Sequence, residues 1–511
     1  MDYLLGLDLG TTGAKALLVA ADGRVVASAV SEYPLITPRP GWAEQDAGLW
    51  WQATVAAIRQ VLQTSGAAPE AVRAVGLTGQ MHGSVFLDSA DRVIRPPLLW
   101  CDQRTAEQCH WINEQVGERV VAEETLNPVL TGFTAPKIIW LRQQEPENYR
   151  RMRKILLPKD YIRFLLTGEY ATEVSDASGT SLLNVRARRW SQKLLAGLEL
   201  AEGLLPRVYE SPEITGAVSE RAGQETGLRA GTPVMGGGGD QAAGGVGNGI
   251  VRPGLISVTT GTSGVVFASM EEPRTDPRLR THTFCHAVPG KWHVMGVMLS
   301  AGGSLRWYRD VVADQERQEA KARGVDPYEV IAERAAQAPA GSEGLIFLPY
   351  LTGERTPYPD PHARGVYFGL SLSHGRPHLA RAVLEGVAYG LRDSLEIIRA
   401  LGLEITQVRA SGGGARSALW RQIQADVFRC ELVTINVDEG PAFGAALLAA
   451  VGAGIFPSVE AACEQTIHIK ERTGPRAGTS EVYARCYPLY RSLYQSLKDD
   501  FARLAKVGKG G

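Results

Sequence analysis

The sequence predicts an α/β protein with two related lobes around a cleft, and three observations lead to this expectation. The chain has 511 residues, which is too long for one ordinary core and favours two or more domains. Strand-like and helix-like stretches alternate along the chain, as they do in α/β proteins. A short turn occurs twice, as Gly-Thr-Thr-Gly at 10–13 and as Gly-Thr-Ser-Gly at 261–264. Because the second copy lies near the midpoint of the chain, we infer two related lobes.

Each copy of the turn lies between two predicted strands, in LGLDLGTTGAKALLV at 5–19 and in LISVTTGTSGVVFAS at 255–269. Backbone N–H groups and hydroxyls at such glycine-rich turns can donate hydrogen bonds to phosphate oxygens. A single copy would be interpreted as an ordinary hairpin turn, but the duplication favours a polyphosphate site. The predicted phosphate-binding residues are Thr11, Thr12, Gly261 and Thr262.

Two charged residues flank the first turn. Asp8 precedes it and has no acidic counterpart in the second copy, where Thr259 occupies the matching position. A carboxylate beside phosphates would repel them unless a cation lay between, so we predict Mg²⁺ near Asp8, held mainly through water. Lys15 follows the turn and either contacts a phosphate as a point charge or lies at the protein surface.

The stretch PVMGGGGDQAAGG places Asp240, followed by Gln241, after four glycines at a predicted helix start. An Asp in this position is often only an N-cap. Four consecutive glycines, however, allow backbone and carboxylate to approach a ligand closely. In phosphoryl transfer a carboxylate can accept the proton of the attacking hydroxyl and orient that hydroxyl. We therefore predict Asp240 as the proton acceptor and expect the helix start to keep it ionised.

A third glycine cluster, Gly412 to Gly414, lies between a predicted strand and a predicted helix and is followed by Ser417. Glycines leave room for a base and its ribose to lie against the backbone. The stretch is not a dinucleotide fingerprint, because Ser417 replaces the last glycine of GxGxxG. A tight turn for strand–helix packing is the alternative interpretation. The predicted nucleotide contacts are Gly412, Gly413, Gly414 and Ser417.

Two further stretches present side chains suited to a polyol. LTGQMHGSVFLD places Met81 and His82 on a loop bracketed by glycines, although a single histidine is more often structural than a ligand. LLWCDQRT adds Trp100, Asp102 and Arg104. Trp100 and Asp102 either bind sugar hydroxyls or form, with Arg104, a surface ion pair on the indole.

Composition narrows the range of partners. Lys and Arg number 54 against 55 Asp and Glu, for a net charge of -1, which gives no electrostatic footprint for nucleic acid or an anionic membrane. The amino terminus lacks a signal-peptide pattern, and no apolar run is long enough for a membrane span. The six cysteines are scattered and indicate neither a zinc site nor a disulfide framework. We expect a cytoplasmic protein that acts on a small molecule.

Taken together, these motifs resemble the FGGY family of carbohydrate kinases, within the superfamily of actin, hexokinase and the 70-kilodalton heat-shock chaperones. The resemblance covers nearly the whole chain. Its most specific parts are GFTAPKIIWL at 132–141 and GVYFGLSLSHGRPHLARAVLEG at 365–386, which look like the two signatures of the family. It implies two ribonuclease-H-like lobes, residues 1–246 binding mainly the sugar and residues 247–511 binding mainly ATP with Mg²⁺.

The resemblance also implies an activity and residue roles. GQMHG and FLPYLTGERTP are similar to the family members that transfer the γ-phosphoryl of ATP to the 5-hydroxyl of D-xylulose. Asp240 then accepts the proton, Asp8 serves the metal and phosphate, and Met81, His82 and the Gln241 amide contact the sugar. Closure of the lobes excludes water, and a homodimer is expected.

Two other functions are also compatible with these motifs. The first is kinase activity on ribulose, gluconate or glycerol; Met81-His82 argues against glycerol, for which the family has Arg-Glu in this loop. The second is a chaperone or filament-forming ATPase of the same superfamily. A chaperone would need a peptide-binding domain after its two lobes, and 511 residues are already used by the lobes themselves.

Overall fold

The structure is a computed structural model that describes residues 2–507. Residue 1 and residues 508–511 of the predicted lobes lie outside the described residues. The described part of the chain has no helix that combines the length and the apolar character needed to cross a membrane. All six cysteines are free thiols.

Strands in the first half of the chain are β1 Tyr3–Leu9, β2 Gly13–Ala20, β3 Val25–Glu32, β4 Val72–Gly79, β5 Val85–Leu87, β6 Lys154–Leu156, β7 Ala171–Glu173, β8 Leu183–Asn184, β9 Arg189–Trp190, β10 Arg207–Tyr209, β11 Ile214–Ala217, β12 Pro233–Met235 and β13 Gly238–Gly239. Helices in this half are α1 Ala47–Ser65, α2 Ala106–Ile112, α3 Glu118–Thr125, α4 Thr134–Gln144, α5 Pro146–Arg151, α6 Pro158–Thr167, α7 Val174–Ala177, α8 Gln192–Gly197, α9 Glu220–Thr226 and α10 Asp240–Gly247.

Strands in the second half are β14 Gly254–Thr260, β15 Gly264–Met270, β16 His282–Cys285, β17 Trp292–Met298, β18 Ile346–Leu348, β19 Val366–Phe368, β20 Ile405–Ser411, β21 Leu432–Ile435 and β22 Ile469–Thr473. Helices in this half are α11 Gly302–Val311, α12 Asp314–Arg323, α13 Pro327–Ala335, α14 Arg376–Ala400, α15 Ala418–Phe428, α16 Gly440–Gly452, α17 Val459–Thr466 and α18 Ala477–Val507.

The two large sheets have the same strand order and orientation. The first sheet runs β3-β2-β1-β4-β12-β11, and the second contains β17-β15-β14-β20-β21-β22. In both, the two central strands are parallel and the hairpin beside them is antiparallel. The predicted duplication is therefore confirmed, because each repeated turn joins the first two strands of one sheet. Strand β16 extends the second sheet beyond β17.

Helix α14 covers the second sheet and forms the centre of its core. Apolar residues recur at helical spacing in its sequence and predict one buried face. Val383, Val387 and Leu391 on that face are fully buried. Pro377 lies in the first turn of the helix and Gly402 lies just beyond its end. The tyrosines of α18 pack on the same core, since Tyr483 and Tyr490 are also fully buried.

Helices α10 and α16 connect the two halves by close backbone contacts. Helix α16 belongs to the second half of the sequence but packs on β1 and β4 of the first sheet. A Cβ built on Gly76 of β4 would lie 1.9 Å from the carbonyl oxygen of Ala445, and one built on Gly444 would lie 1.9 Å from that of Ala243 in α10. Only glycine permits such contacts, so these positions fix how the two halves meet. The division of the lobes at 246/247 stays a prediction.

Gly76→Ala is expected to destabilise the protein because its methyl group would overlap the carbonyl of Ala445. Overpacking of this kind costs about 1–3 kcal/mol, which lowers the midpoint of urea unfolding measured by circular dichroism. Gly203→Ala is the matched control, since nothing lies within 4 Å of the added methyl. Equal midpoints for the two variants would contradict the close contact.

Candidate active site

The first phosphate turn, between β1 and β2, is supported by three side chains. The Tyr33 hydroxyl donates to the carbonyl of Gly10 at 2.6 Å, and the Gln45 amide donates to the carbonyl of Thr11 at 2.6 Å. The Trp100 indole donates to the Thr11 hydroxyl at 2.9 Å. Trp100 was predicted to contact a polyol, whereas its polar atom supports the phosphate turn. Thr12, at the tip of the turn, is exposed.

The second turn is held by the start of α11. The amide of Gly302 donates to the carbonyl of Gly261 at 2.7 Å, and the amides of Ala301 and Gly303 donate to the carbonyl of Thr262 at 2.9 and 3.0 Å. These bonds use carbonyl oxygens of the turn, and the Thr262 side chain is exposed. The second turn is thus rigid and presents its hydroxyl outward, as a phosphate site requires.

A cavity of about 530 Å³ extends from Asp240 and Gln241 to Gly412 and Gly413. Gly412 and Gly413 are exposed along its wall. Gly412 has a φ of 78°, a left-handed conformation that favours glycine. This volume and the side-chain-free wall suit a nucleotide.

Gly414 and Ser417, two of the predicted nucleotide contacts, have structural roles. Gly414 is buried, and a Cβ there would lie 2.6 Å from the Thr260 side chain, so this glycine allows close packing between β14 and the turn after β20. The Ser417 hydroxyl caps α15 by accepting from the amide of Trp420. Strand–helix packing and capping account for these two residues in the described structure, and their nucleotide contacts stay predictions.

A larger open cavity of about 790 Å³ lies beside β9 and β10, away from all the predicted site residues. Two of its cations are paired, since Arg188 binds Glu210 and Lys193 binds Glu124. No residue of the two repeated turns lines this cavity.

Asp8 and Asp240 meet at one edge of the first sheet. Strand β1 pairs in parallel with β4, which pairs in parallel with β13, so Asp8 lies level with Thr78 and Gly238. Asp240 follows β13 directly as the first residue of α10, after Gly239 as the N-cap. Asp240 is therefore not an N-cap. Adjacent parallel strands lie about 4.8 Å apart, which places both carboxylates in one small region.

This arrangement raises the pKa of both carboxyl groups. Burial and the negative charge of Asp8 raise the pKa of Asp240 to about 7. Burial raises the pKa of Asp8 to about 6, although Lys15 opposes the change. Desolvation and a like charge thus oppose the effect of the helix start, which was expected to keep Asp240 ionised.

Lys15 forms an ion pair with Glu439, the residue that precedes α16. The two side chains are 28% and 26% exposed. Lys15 is therefore paired within the protein and only partly accessible to a ligand. Both expectations for Lys15 missed this partner, which comes from the other half of the chain. The pair links the first phosphate turn to the helix that joins the two halves.

Met81 and His82 follow the end of β4, beside Asp240. Met81 is buried against Gly239, where a built Cβ would lie 2.9 Å from its sulfur. His82 has a φ of 67°, its ring stacks on Phe133 at 4.4 Å, and its Nδ1 lies 2.7 Å from the carbonyl of Gly179. Burial lowers the pKa of His82 to about 3. A neutral ring that donates through Nδ1 leaves Nε2 as an acceptor for a hydroxyl.

Asp102 and Arg104 form a buried structural pair. Asp102 is 0% exposed, and its oxygens accept from the amide of Ala43 and from the Arg104 guanidinium at 2.7–3.0 Å. Arg104 stacks on the Trp42 ring at 3.6 Å, not on Trp100. Asp102 thus holds this region together, and its sugar contact stays a prediction.

Lys137 is a residue of the site that sequence reasoning did not single out. It is fully buried in α4, and its Nζ donates to the carbonyls of His82 at 2.9 Å and Gly132 at 2.7 Å. Burial lowers its pKa to about 7. The sequence signal that could have identified Lys137 is a lysine within the otherwise apolar stretch of α4. The bond to the His82 carbonyl stabilises the left-handed conformation of that residue.

Two similar lobes, two phosphate turns and a carboxylate between them define the class of two-lobed phosphotransferases with an actin- or hexokinase-type fold. Sequence models of the FGGY family of carbohydrate kinases match this chain, the N-terminal domain over residues 3–247 and the C-terminal domain over residues 256–453. The chain belongs to the FGGY family of carbohydrate kinases. Membership of a kinase family makes ATP its phosphoryl donor.

Similar proteins cover almost the whole chain. The xylulose kinase of Escherichia coli strain K12 is 41% identical over 494 residues, which are 96% of this chain and 99% of that protein. The xylulose kinase of Bacillus subtilis strain 168 is 37% identical, over 98% of each chain. The crystal structure of ligand-bound xylulose kinase from Lactobacillus acidophilus has a TM-score of 0.92 and 26% identity, covering 99% of this chain and 100% of that one.

Lys137→Met is expected to raise the KM for the sugar substrate about tenfold, because two buried carbonyls lose their donor and His82 loses its fixed conformation. The KM for ATP should stay within about twofold of wild type, since no atom of Lys137 lines the nucleotide cavity. Steady-state kinetics with each substrate varied in turn measure both constants.

Lys154→Met is the control, because Lys154 also donates to a backbone carbonyl, that of Gly203, but lies away from the cleft. Similar sugar KM values for the two variants would show that Lys137 does not position His82.

Proposed function

We propose that this protein transfers the γ-phosphoryl of ATP to the 5-hydroxyl of D-xylulose, giving D-xylulose 5-phosphate and ADP. One observation carries the proposal: the Asp240 carboxylate lies between the Met81–His82 loop and the cavity lined by Gly412 and Gly413. The 41% and 37% identity to xylulose kinases over nearly the full length supports the choice of sugar.

The nucleotide is expected to occupy the cleft cavity. Gly412 and Gly413 offer backbone without side chains to the adenosine, and the turns carrying Thr11, Thr12 and Thr262 offer amides and hydroxyls to the phosphates. Lys15 lies close enough to the first turn to exchange Glu439 for a phosphate oxygen. This arrangement would deliver the γ-phosphoryl toward Asp240.

Mg²⁺ fits the residues around Asp8. The described residues contain no cluster of three or more potential metal ligands, and none of them donates a hydrogen bond to the Asp8 carboxylate. Mg²⁺ commonly keeps several waters and takes one or two carboxylates with the substrate phosphates, so Asp8 suffices on the protein side. When bound, the ion would neutralise charge on the phosphates.

Asp240 is proposed to accept the proton of the 5-hydroxyl and to orient its oxygen toward the γ-phosphorus. Because phosphoryl transfer passes through a loose transition state, positioning and charge contribute more than strong basicity. A carboxylate with a pKa of about 7 is nevertheless well matched to a proton transfer near neutral pH.

Water must be excluded while the phosphoryl is transferred. Asp240 begins α10, which packs against α16 across the two halves, so rotation of the lobes would move Asp240 relative to the nucleotide. Lobe closure is thus the proposed gating step.

The neutral His82 ring and the Gln241 amide are the proposed sugar contacts of this site. Gln241 lines the cleft beside Asp240. Ribulose, gluconate and glycerol are the alternative acceptors. The homodimeric state and the cytoplasmic location stay predictions.

With Mg-ATP, coupled ADP release should be strongest with D-xylulose in a panel that also contains L-xylulose, D-ribulose, L-ribulose, gluconate and glycerol. Asp240→Asn should lower kcat about 10²–10⁴-fold, the contribution typical of a general base. Asp22→Asn, in the exposed turn between β2 and β3, is the control and should retain wild-type activity. Preference for another polyol would overturn the choice of sugar, and full activity of Asp240→Asn would overturn the role of Asp240.

The pH profile of kcat/KM tests the environment of Asp240. Because the base must be deprotonated and its pKa is raised to about 7, kcat/KM should fall about tenfold per pH unit below pH 7. Asp8→Asn removes the neighbouring charge, so the midpoint of the remaining activity should move to lower pH. An acid limb near pH 4 in the wild type would contradict the desolvated pair.

A further inference from the structure

A cluster of five buried charged residues lies beneath the glycine run 236–239. Its members are Lys159, Asp160, Arg163, Glu173 and Asp176, and the side chains are all 0% exposed. Lys159 Nζ lies 2.7 Å from Asp160, 3.2 Å from Asp176 and 3.5 Å from Glu173. Arg163 lies 3.2 Å from Asp160. None of the five residues of this buried charge cluster lines the cleft cavity, and none was predicted to contact a substrate.

Buried ion pairs contribute little net stability, because desolvation offsets their attraction. The cluster holds three carboxyl groups against two cations, and burial raises the pKa of Asp176 well above its usual range. An apolar core would fill the same space at lower cost, so net stability does not explain the cluster.

Glu173 connects the cluster to two serines that bind the glycine run. Its Oε1 accepts from the Ser175 hydroxyl at 2.9 Å and from the amide of Asp176 at 2.8 Å. Its Oε2 accepts from the amide of Ser175 at 2.7 Å and from the Ser211 hydroxyl at 3.0 Å. Both serines are themselves fully buried.

The run is tied to these residues at three of its four glycines. The carbonyl of the first accepts from Arg163 Nη2 at 2.6 Å, and the amide of the second donates to the carbonyl of Ser211 at 2.8 Å. The amide of the fourth, Gly239, donates to Ser175 Oγ at 3.0 Å. Gly239 is the N-cap of α10 and immediately precedes Asp240.

The orientation of the Ser175 hydroxyl is fixed by its two hydrogen-bond partners, Glu173 and the amide of Gly239. Its one proton is donated to Glu173, which orients its lone pair toward the amide of Gly239. A free run of four glycines would sample many conformations, and a displacement of about 1 Å at a reacting group can cost a hundredfold in rate. The tie at Gly239 acts on the backbone next to the reacting carboxylate.

We propose that Glu173 and Ser175 are positioning residues for phosphoryl transfer, holding the amide of Gly239 and thereby the Asp240 carboxylate in its reactive place. This inference rests on the proposed role of Asp240 as the proton acceptor. Neither residue touches substrate, and both act through the backbone.

Ser175→Ala tests this inference, with Ser191→Ala as the matched control. Ser191 is also buried; its hydroxyl donates to a carboxylate, that of Glu124, and accepts from a backbone amide, that of Leu194. The two variants therefore lose equivalent bonds and should lose similar stability in urea unfolding. Only Ser175→Ala should lower kcat, by about tenfold or more, with the KM for ATP and for sugar within about twofold of wild type.

Hydrogen exchange supplies a readout that is independent of activity. The amides of 236–241 should exchange faster in Ser175→Ala than in wild type, and at the wild-type rate in Ser191→Ala. If Ser175→Ala does not fold, Ser211→Ala removes the other hydroxyl bound to Glu173 and is measured in the same way.

Kinetics use whichever acceptor the wild type phosphorylates best, so a different sugar preference leaves the test intact. A kcat equal to that of Ser191→Ala, or a parallel change of both KM values, would overturn the positioning role. If the wild type phosphorylates no acceptor, the proposed function and the positioning role fall together. Unchanged exchange at 236–241 would overturn the tie itself, whatever the activity.

Discussion

The crossing of α10 and α16 is the contact on which the rest of the molecule depends. Helix α16 belongs to the second half of the chain but lies on β1 and β4 of the first sheet. Helix α10 belongs to the first half, and a Cβ on its Gly245 would lie 2.6 Å from Phe267 of β15 in the second sheet. Their backbones meet where a Cβ built on Gly247 would lie 2.0 Å from the carbonyl oxygen of Gly440. The cleft, both phosphate turns and Asp240 are arranged around this crossing.

The positions of the candidate site residues follow from where the strands of the two sheets end. Parallel strands bring their carboxyl ends to one edge, so Asp8, the Met81–His82 loop and Asp240 share the edge of the first sheet, and Gly412 and the second turn share that of the second. Burial raises the pKa of both carboxyl groups there, and the negative charge of Asp8 raises that of Asp240 further. Lys15 and Glu439 add a link between the edge and the crossing helices. The residues that would handle phosphate, proton and sugar are therefore held by separate elements that meet only in the folded chain.

Local pattern predicted much of this arrangement. The duplicated turns, the glycine run before Asp240 and the apolar period of α14 are short-range signals, and they correctly predicted two related lobes, a cleft and a carboxylate in it. The family signatures, also local, identified the family. The positions of Met81, His82, Gly412 and Gly413 agree with their expected roles, which stay predictions.

What sequence reasoning missed depends on contacts between distant residues. The partner of Lys15 is 424 positions away, and the burial of Asp102 depends on Ala43 and Trp42, which no local pattern connects with it. The pKa of Asp240 depends on a strand two positions across the sheet. The capping bond from the Trp420 amide to Ser417 and the packing of Gly414 on Thr260 likewise appear only in the folded chain.

The most direct test is a crystal structure of the closed complex with D-xylulose and a non-hydrolysable ATP analogue, which measures the distance from the 5-hydroxyl oxygen to the Asp240 carboxylate. We expect a hydrogen bond of about 2.6–3.2 Å, with the γ-phosphorus on the far side of that oxygen and the base against Gly412 and Gly413. A sugar whose 5-hydroxyl faces another group, or a nucleotide bound outside the cleft, would contradict the proposed chemistry.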